Sequence, residues 1–172
     1  MAYGTRSGGA GFSLTASLHQ WAAGWWSGGP HFIIGPRYLL RWYVIPRNPW
    51  LNVYLHQFLH DDEDRALHDH PWRFVSIMLR GKYREVVSFP AHGNGHYHFI
   101  ERSSPSIAFR SADYAHRVVL KRDVKDRPVP CWTLVVTGRV TRDWGFLCPQ
   151  GWRHWKEFTA ESDYGQVGRG CE

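Results

Sequence analysis

Short apolar runs follow one another along this chain at strand spacing rather than helix spacing. From Pro30 onward, stretches rich in Val, Ile, Leu, Tyr, Phe and Trp occur at 31–34, 38–45, 51–59, 72–79, 82–89, 96–100, 116–120 and 131–137, bounded by Gly, Pro, Asn or Asp. β-Branched and aromatic residues fit a pleated, half-buried surface, and Gly and Pro interrupt it, so the pattern predicts about eight short strands. Many short strands with frequent turns make an all-β sandwich, jelly roll or barrel. Arg80-Gly81 and Gly93-Asn94-Gly95 read as hairpin turns. The period changes only before Pro30. There Leu14, Leu18, Trp21, Ala22 and Trp25 share a helical face, with Ser13 as N-cap and Gly28-Gly29-Pro30 as the stop. This predicts a short N-terminal amphipathic helix whose apolar stripe packs on the β-structure. On that reading Leu18→Asp costs roughly 2 kcal/mol or more.

The Gly- and Ser-rich residues 1–12 read as a flexible terminus, and 13–172 as a single domain. Within it, residues from about 144, with Trp144, Trp152 and Trp155, read as an extension wrapped on the same core. A chain of 172 residues, 43% of them hydrophobic, is large enough for that core. Three cysteines are an odd, widely spaced set, and no secretory pattern opens the chain, so a reduced, cytoplasmic setting is expected. The apolar stretches fall well short of the roughly 20 residues a membrane helix needs, so no membrane partner is expected. A formal net charge of +6 favours anionic partners. The basic residues are scattered, however. Their one cluster, Lys121, Arg122, Lys125 and Arg127, is interleaved with Asp123 and Asp126 as in a solvated loop. The expected partner is therefore a small molecule rather than nucleic acid; a homodimer is compatible with the sequence.

The chemistry is concentrated in the histidines. In Leu67-His68-Asp69-His70-Pro71-Trp72 two imidazoles stand two residues apart, and in an extended chain such residues point to the same side. A strand cannot wrap around an ion, so a third ligand must come from elsewhere, and His116, at the start of an apolar strand, is the candidate. These stretches resemble the motifs of the cupin superfamily over about 51–120. His68, His70 and Gly81 match its first motif, and His116-Arg117-Val118 its second. Tyr38-Leu39-Leu40-Arg41-Trp42 and Trp144-Gly145-Phe146 also resemble small cupin-like proteins of phages and bacteria that have no assigned function. The resemblance implies a cupin-type double-stranded β-helix (a jelly-roll barrel) and a divalent metal on His68, His70 and His116.

Where cupins commonly carry a metal-binding Glu, this chain has Phe74, which cannot ligate. What remains looks like the three-histidine sites of certain cupins, the thiol dioxygenases among them; alternatively Glu85 reaches the metal from the next strand, although hairpin pairing would set it opposite Ser76. Three protein ligands with open positions suit non-haem Fe(II), with Zn, Ni or Mn as other candidates, and an oxygenase acting on a small anionic or polar substrate. Trp72, Phe74 and Met78 would wall off water. A 2-oxo acid co-substrate is left open, with Arg110 as the nominee for its carboxylate and Arg117 as a second arginine able to grip an anion. The alternatives are a non-catalytic small-molecule binder, and a metal-dependent isomerase or lyase with His56 or Glu85 moving the proton.

His96 and His98 form a second pair without a frame for a third ligand, and read as surface or packing residues. Asp61-Asp62-Glu63-Asp64 lacks a calcium-loop Gly and reads as solvated. Cys148, His154 and Cys171 could be part of a structural zinc site, but three unrelated reduced or packed side chains are the expectation.

Overall fold

The computed structural model describes residues 12–35, 37–62, 66–88, 97–159 and 168–172. Helix α1 (Leu14–Trp26) leads into β1 (Phe32–Ile34) and β2 (Leu39–Tyr43). Eight strands follow: β3 (Asn52–Phe58), β4 (Leu67–His68), β5 (Phe74–Arg80), β6 (Lys82–Ser88), β7 (Tyr97–Ser103), β8 (Ser106–Arg110), β9 (His116–Leu120) and β10 (Cys131–Thr137). The chain then adds β11 (Gly145–Cys148), β12 (Gly151–His154) and the single turn α2 (Trp155–Phe158).

The strands form two antiparallel sheets of six, ordered β1-β2-β3-β10-β5-β8 and β12-β11-β4-β9-β6-β7. From β3 to β6 the chain steps from sheet to sheet, turns back through the β6–β7 hairpin, and returns by the same alternation to β10. Two antiparallel halves coiled together in this way are a double-stranded β-helix, as the sequence leads one to expect. Strand alternation selects the inward residues. On β3, Asn52, Tyr54, His56 and Phe58 are buried while Val53, Leu55 and Gln57 are half-buried. Ile34, Leu39, Phe58, Met78, Tyr83, Val118, Leu120 and Cys131 form one core cluster, and the histidines line a cavity between the sheets that borders this cluster at Leu39, Phe58, Tyr83 and Val118.

Three expectations are corrected. Arg80-Gly81 is not a hairpin turn: β5 and β6 lie in opposite sheets, and Gly81 makes the crossover between them. Its φ of +91° and the approach of Cys131 Cβ, 2.8 Å from where a side-chain carbon would stand, require glycine there. In consequence Glu85 pairs with Val118 of β9 rather than facing Ser76.

The helix is present, capped by Ser13 as expected, but it does not dock through Leu14 and Leu18. Leu18 is 44% exposed and Trp26 95%. The docking face is Ser17, Trp21, Gly24 and Trp25, and its contacts are largely polar. Ser17 Oγ donates to Arg47 O, and the indole N–H groups of Trp21 and Trp25 donate to Val44 O and Tyr43 O at 3.3 and 3.0 Å. Gly24 lies against the His31 ring, where a Cβ would come within 2.2 Å of a ring carbon. The tryptophans thus dock by hydrogen bonds that hydrophobic periodicity does not register. Leu18→Asp should accordingly change stability by less than about 0.5 kcal/mol, and thermal melts of wild type and variant check this.

The third correction concerns the cysteines. Cys148 and Cys171 form a disulfide with a Cα–Cα separation of 5.3 Å, so their sulfurs are not available to zinc, and His154 caps α2 through Nδ1 instead. Cys131 is free and buried. The bridge also removes the cysteine argument for a reducing compartment. No helix among the described residues is long and apolar enough to cross a membrane.

Candidate metal centre

The shortest strand carries the first histidine. β4 has only Leu67 and His68, yet it is held on both sides, with His68 paired to Phe146 of β11 and to His116 of β9. Because register partners point to the same side, His68 and His116 enter the barrel together. His70 follows two residues on, its backbone N–H bound to Ala112 O at 2.9 Å. Between them Asp69 turns the other way and pins the segment. Its Oδ1 accepts from Gly145 N at 2.7 Å, and its Oδ2 accepts from Arg142 Nη1 at 2.6 Å and Trp152 Nε1 at 3.0 Å.

All three imidazoles are buried. Each offers a nitrogen within 4.8 Å of the other two, and His70 Nε2 stands 3.0 Å from His116 Nε2. A triangle of that size could hold one metal ion. Burial, opposed by the Asp62 carboxylate and reinforced by His116, draws the His68 imidazole down to about 4. Burial, with the neighbouring histidines and Arg41 adding to it, holds His70 well below its ordinary range. Both are therefore neutral at pH 7, the form that ligates. The surroundings fit the same role. Asp62 Oδ2 lies 3.4 Å from His68 Nδ1 and Glu85 Oε1 lies 3.4 Å from His116 Nδ1, so a carboxylate stands behind each of these two rings.

Glu85 is 1% exposed and does not join the triangle. Its Oε2 accepts from Arg110 Nη2 at 2.5 Å and from the Tyr114 hydroxyl at 3.1 Å. Burial alone would raise its pKa, but His116 and Arg110 together outweigh burial and hold the carboxyl down to about 2. Tyr114 is half-buried, and partial burial together with the Glu85 carboxylate pushes its hydroxyl well above the ordinary phenol range. Arg110 also stacks on the Tyr114 ring, 4.4 Å from its centroid, and it lines an outer groove rather than the cavity at the histidines. Arg117 sits on the opposite face of β9 from His116.

The cavity measures about 60 Å³ and is mostly apolar, with Trp72, Phe74 and Tyr54 among its walls. Met78 is buried in the neighbouring core cluster instead. His56 lines the cavity, and its Nε2 accepts from Arg41 Nε at 2.8 Å, which leaves the ring proton on Nδ1. Burial, then the charge of Arg41, lowers its pKa well below the usual histidine value.

Four residues at the site escaped the sequence reading: Arg41, Asp62, Asp69 and Tyr114. Asp69 and Tyr114 flank or sit within the histidine motifs but gave no ligand signal of their own. Asp61 and Asp62 were expected to be solvated, yet Asp61 accepts from Leu120 N at 2.7 Å and Asp62 from Val118 N at 3.3 Å, extending the ladder of β9. His98 is on the exposed face of β7, and His96 lies outside the described residues.

The chain matches no family model and no curated protein. Among solved structures it is similar to a cupin superfamily protein from Desulfitobacterium hafniense, at 10% identity over 63% of this chain and 84% of that one, with a TM-score of 0.44. It is similar also to an uncharacterized conserved protein with a double-stranded β-helix domain from Klebsiella pneumoniae, at 14% identity over 81% and 98%, TM-score 0.45. A third is the hydroxypropylphosphonic acid epoxidase of S. wedmorenis, at 13% identity over 62% of this chain and 54% of that one, TM-score 0.46. By its strand order and by the sheet that carries its paired histidines, the chain has the cupin-type double-stranded β-helix fold.

Proposed function

We propose that His68, His70 and His116 bind one divalent metal, Fe(II) before Zn, Ni or Mn, and that the protein is a non-haem oxygenase of a small anionic or polar substrate. The observation that carries this reading is the convergence of three buried imidazole nitrogens, within 4.8 Å of one another, on the wall of a mostly apolar cavity. Three neutral ligands leave positions for substrate and O2, and bound iron would supply the one-electron chemistry that activates O2. The chain's own residues orient and exclude. Asp62 and Glu85, each 3.4 Å from a ring Nδ1, would orient the His68 and His116 rings, while Trp72 and Phe74 supply apolar walls that disfavour water.

The isomerase or lyase reading needs a free base, and its two nominees are engaged. Both Glu85 oxygens face donors, and the acceptor nitrogen of His56 is taken by Arg41. The test is anaerobic loading with Fe(II), Zn(II), Ni(II) or Mn(II), followed by elemental analysis and oxygen-electrode traces with a panel of small carboxylates, phosphonates and thiols. One equivalent of metal and oxygen uptake with the iron form alone are expected. Stoichiometric metal with no uptake would replace the oxygenase by a binding protein, and turnover persisting without O2 would restore the isomerase or lyase.

A further inference from the structure

On the sheet facing the histidine triangle, a second polar group enters the same cavity. Register sets Arg41 of β2 opposite His56 of β3, and His56 opposite Thr133 of β10, so the three form one inward row across three strands. All three line the cavity that also holds His68, His70 and His116. Arg41 is 5% exposed. Its Nε donates to His56 Nε2 at 2.8 Å, and its guanidinium carbon lies 4.7 Å above the Tyr54 ring, which is itself stacked with His56 at an interplanar angle of 8°. The arginine is thereby fixed in place from two sides.

Its charge, however, is not matched. Among the described residues no acidic side chain forms an ion pair with Arg41. The two carboxylates lining the cavity are committed elsewhere, Glu85 to Arg110, and Asp62 to Val118 N and the neighbourhood of His68. A neutral imidazole and a ring face compensate a buried guanidinium less than an anion does, and buried charges are ordinarily paired. Thr133 Oγ1, on the other side of His56 in the row, is buried with no hydrogen-bond partner. A fixed cation and an unused hydroxyl thus enter one small cavity from the same wall.

We propose that Arg41, positioned by His56 and Tyr54 and assisted by Thr133, binds the carboxylate of a small monocarboxylic substrate whose other end faces the histidine triangle. The proposal rests on the metal-site reading for the orientation of the substrate, but not for the anion site itself. A carboxylate is favoured over a phosphoryl group because the wall offers a single cation, and the planar guanidinium matches a planar anion. Size bears on the class as well. A cavity of about 60 Å³ has room for roughly four to six water-sized groups, which a short-chain acid fills.

The experiment is calorimetric titration of the metal-loaded protein with acetate, propanoate and butanoate, with propionamide and methylphosphonate as controls at constant ionic strength. The acids should bind and propionamide should not, and methylphosphonate should bind more weakly. Arg41→Met should weaken the acids at least about tenfold, with Arg41→Lys intermediate, as for the loss of a charge-assisted hydrogen bond. Metal content in both variants should stay at the wild-type level. Equal binding of propionamide and propanoate, no binding of any acid, or unchanged affinity in Arg41→Met would overturn the proposal. Should neither variant fold, as judged by circular dichroism, the acid-against-amide comparison on metal-free wild type, where no metal can hold the carboxylate, still decides. Acid binding by a protein that takes up no metal would sink the metal reading and leave this one standing.

Discussion

If the proposed site holds the metal, alanine at His68, His70 or His116 should strip the protein of it, lowering affinity by more than the roughly 10–100-fold that loss of an outer carboxylate costs. Each imidazole supplies one of only three nitrogens, and no fourth His, Cys, Asp or Glu joins the cluster among the described residues. The fold should survive. The cluster of Ile34, Leu39, Phe58, Met78, Tyr83, Val118, Leu120 and Cys131 and that of Trp144, Phe146 and Phe158 contain none of the three histidines. The metal-free variants should therefore melt cooperatively, with a loss of about 1–2 kcal/mol each. Added metal should raise the melting temperature of wild type, since it binds only the native state, and leave the variants unmoved. His96→Ala and His98→Ala are the controls and should keep full occupancy. Stoichiometric metal in any of the three variants, measured by elemental analysis, would place the ion elsewhere.

What the sequence made legible follows from how local each signal is. His68 and His70 are two residues apart, so strand alternation alone sets them on one side. The β9 and β10 strands appear at the bounds their apolar runs indicate. β4 is two residues long, and β8 turns its large apolar residues Ile107 and Phe109 outward, so neither shows the apolar inward face by which a strand is recognised. Topology was the larger obstacle. Glu85 reaches His116 because β6 pairs with β9 in the second sheet, whereas a local hairpin reading puts it beside β5. Arg41 was hidden for a different reason. A charged residue inside a run of Leu and Trp gives no sign of whether its side chain enters the barrel, and only the register Arg41–His56–Thr133 places it there. For the helix the reverse holds: it forms where its apolar period indicates, but the face that docks does so by hydrogen bonds from indole nitrogens, which that period does not register.

Replacing Glu85 should have the second largest effect, and on stability and metal affinity at once. Its carboxylate meets Arg110 and Tyr114 through one oxygen and faces His116 with the other, at 1% exposure. Glu85→Ala removes one partner of a buried ion pair and leaves the Arg110 guanidinium, only 13% exposed, without its acid. Breaking such a pair costs about 3–5 kcal/mol, chiefly through the charge left behind, and in a domain of this size that lowers the melting temperature on the order of 10 °C. The His116 ring also loses the carboxylate at Nδ1, so metal affinity should fall by roughly 10–100-fold. A double-mutant cycle with Arg110→Met separates the two consequences. With the guanidinium gone, the stability cost of Glu85→Ala should shrink by more than about 1 kcal/mol, because the two side chains are in direct contact. The metal-affinity cost should persist, since His116 still lacks its carboxylate. If Glu85→Ala melts within about 1 kcal/mol of wild type, the pair with Arg110 is not a structural hub. If it binds metal as tightly as wild type, Glu85 does not orient His116.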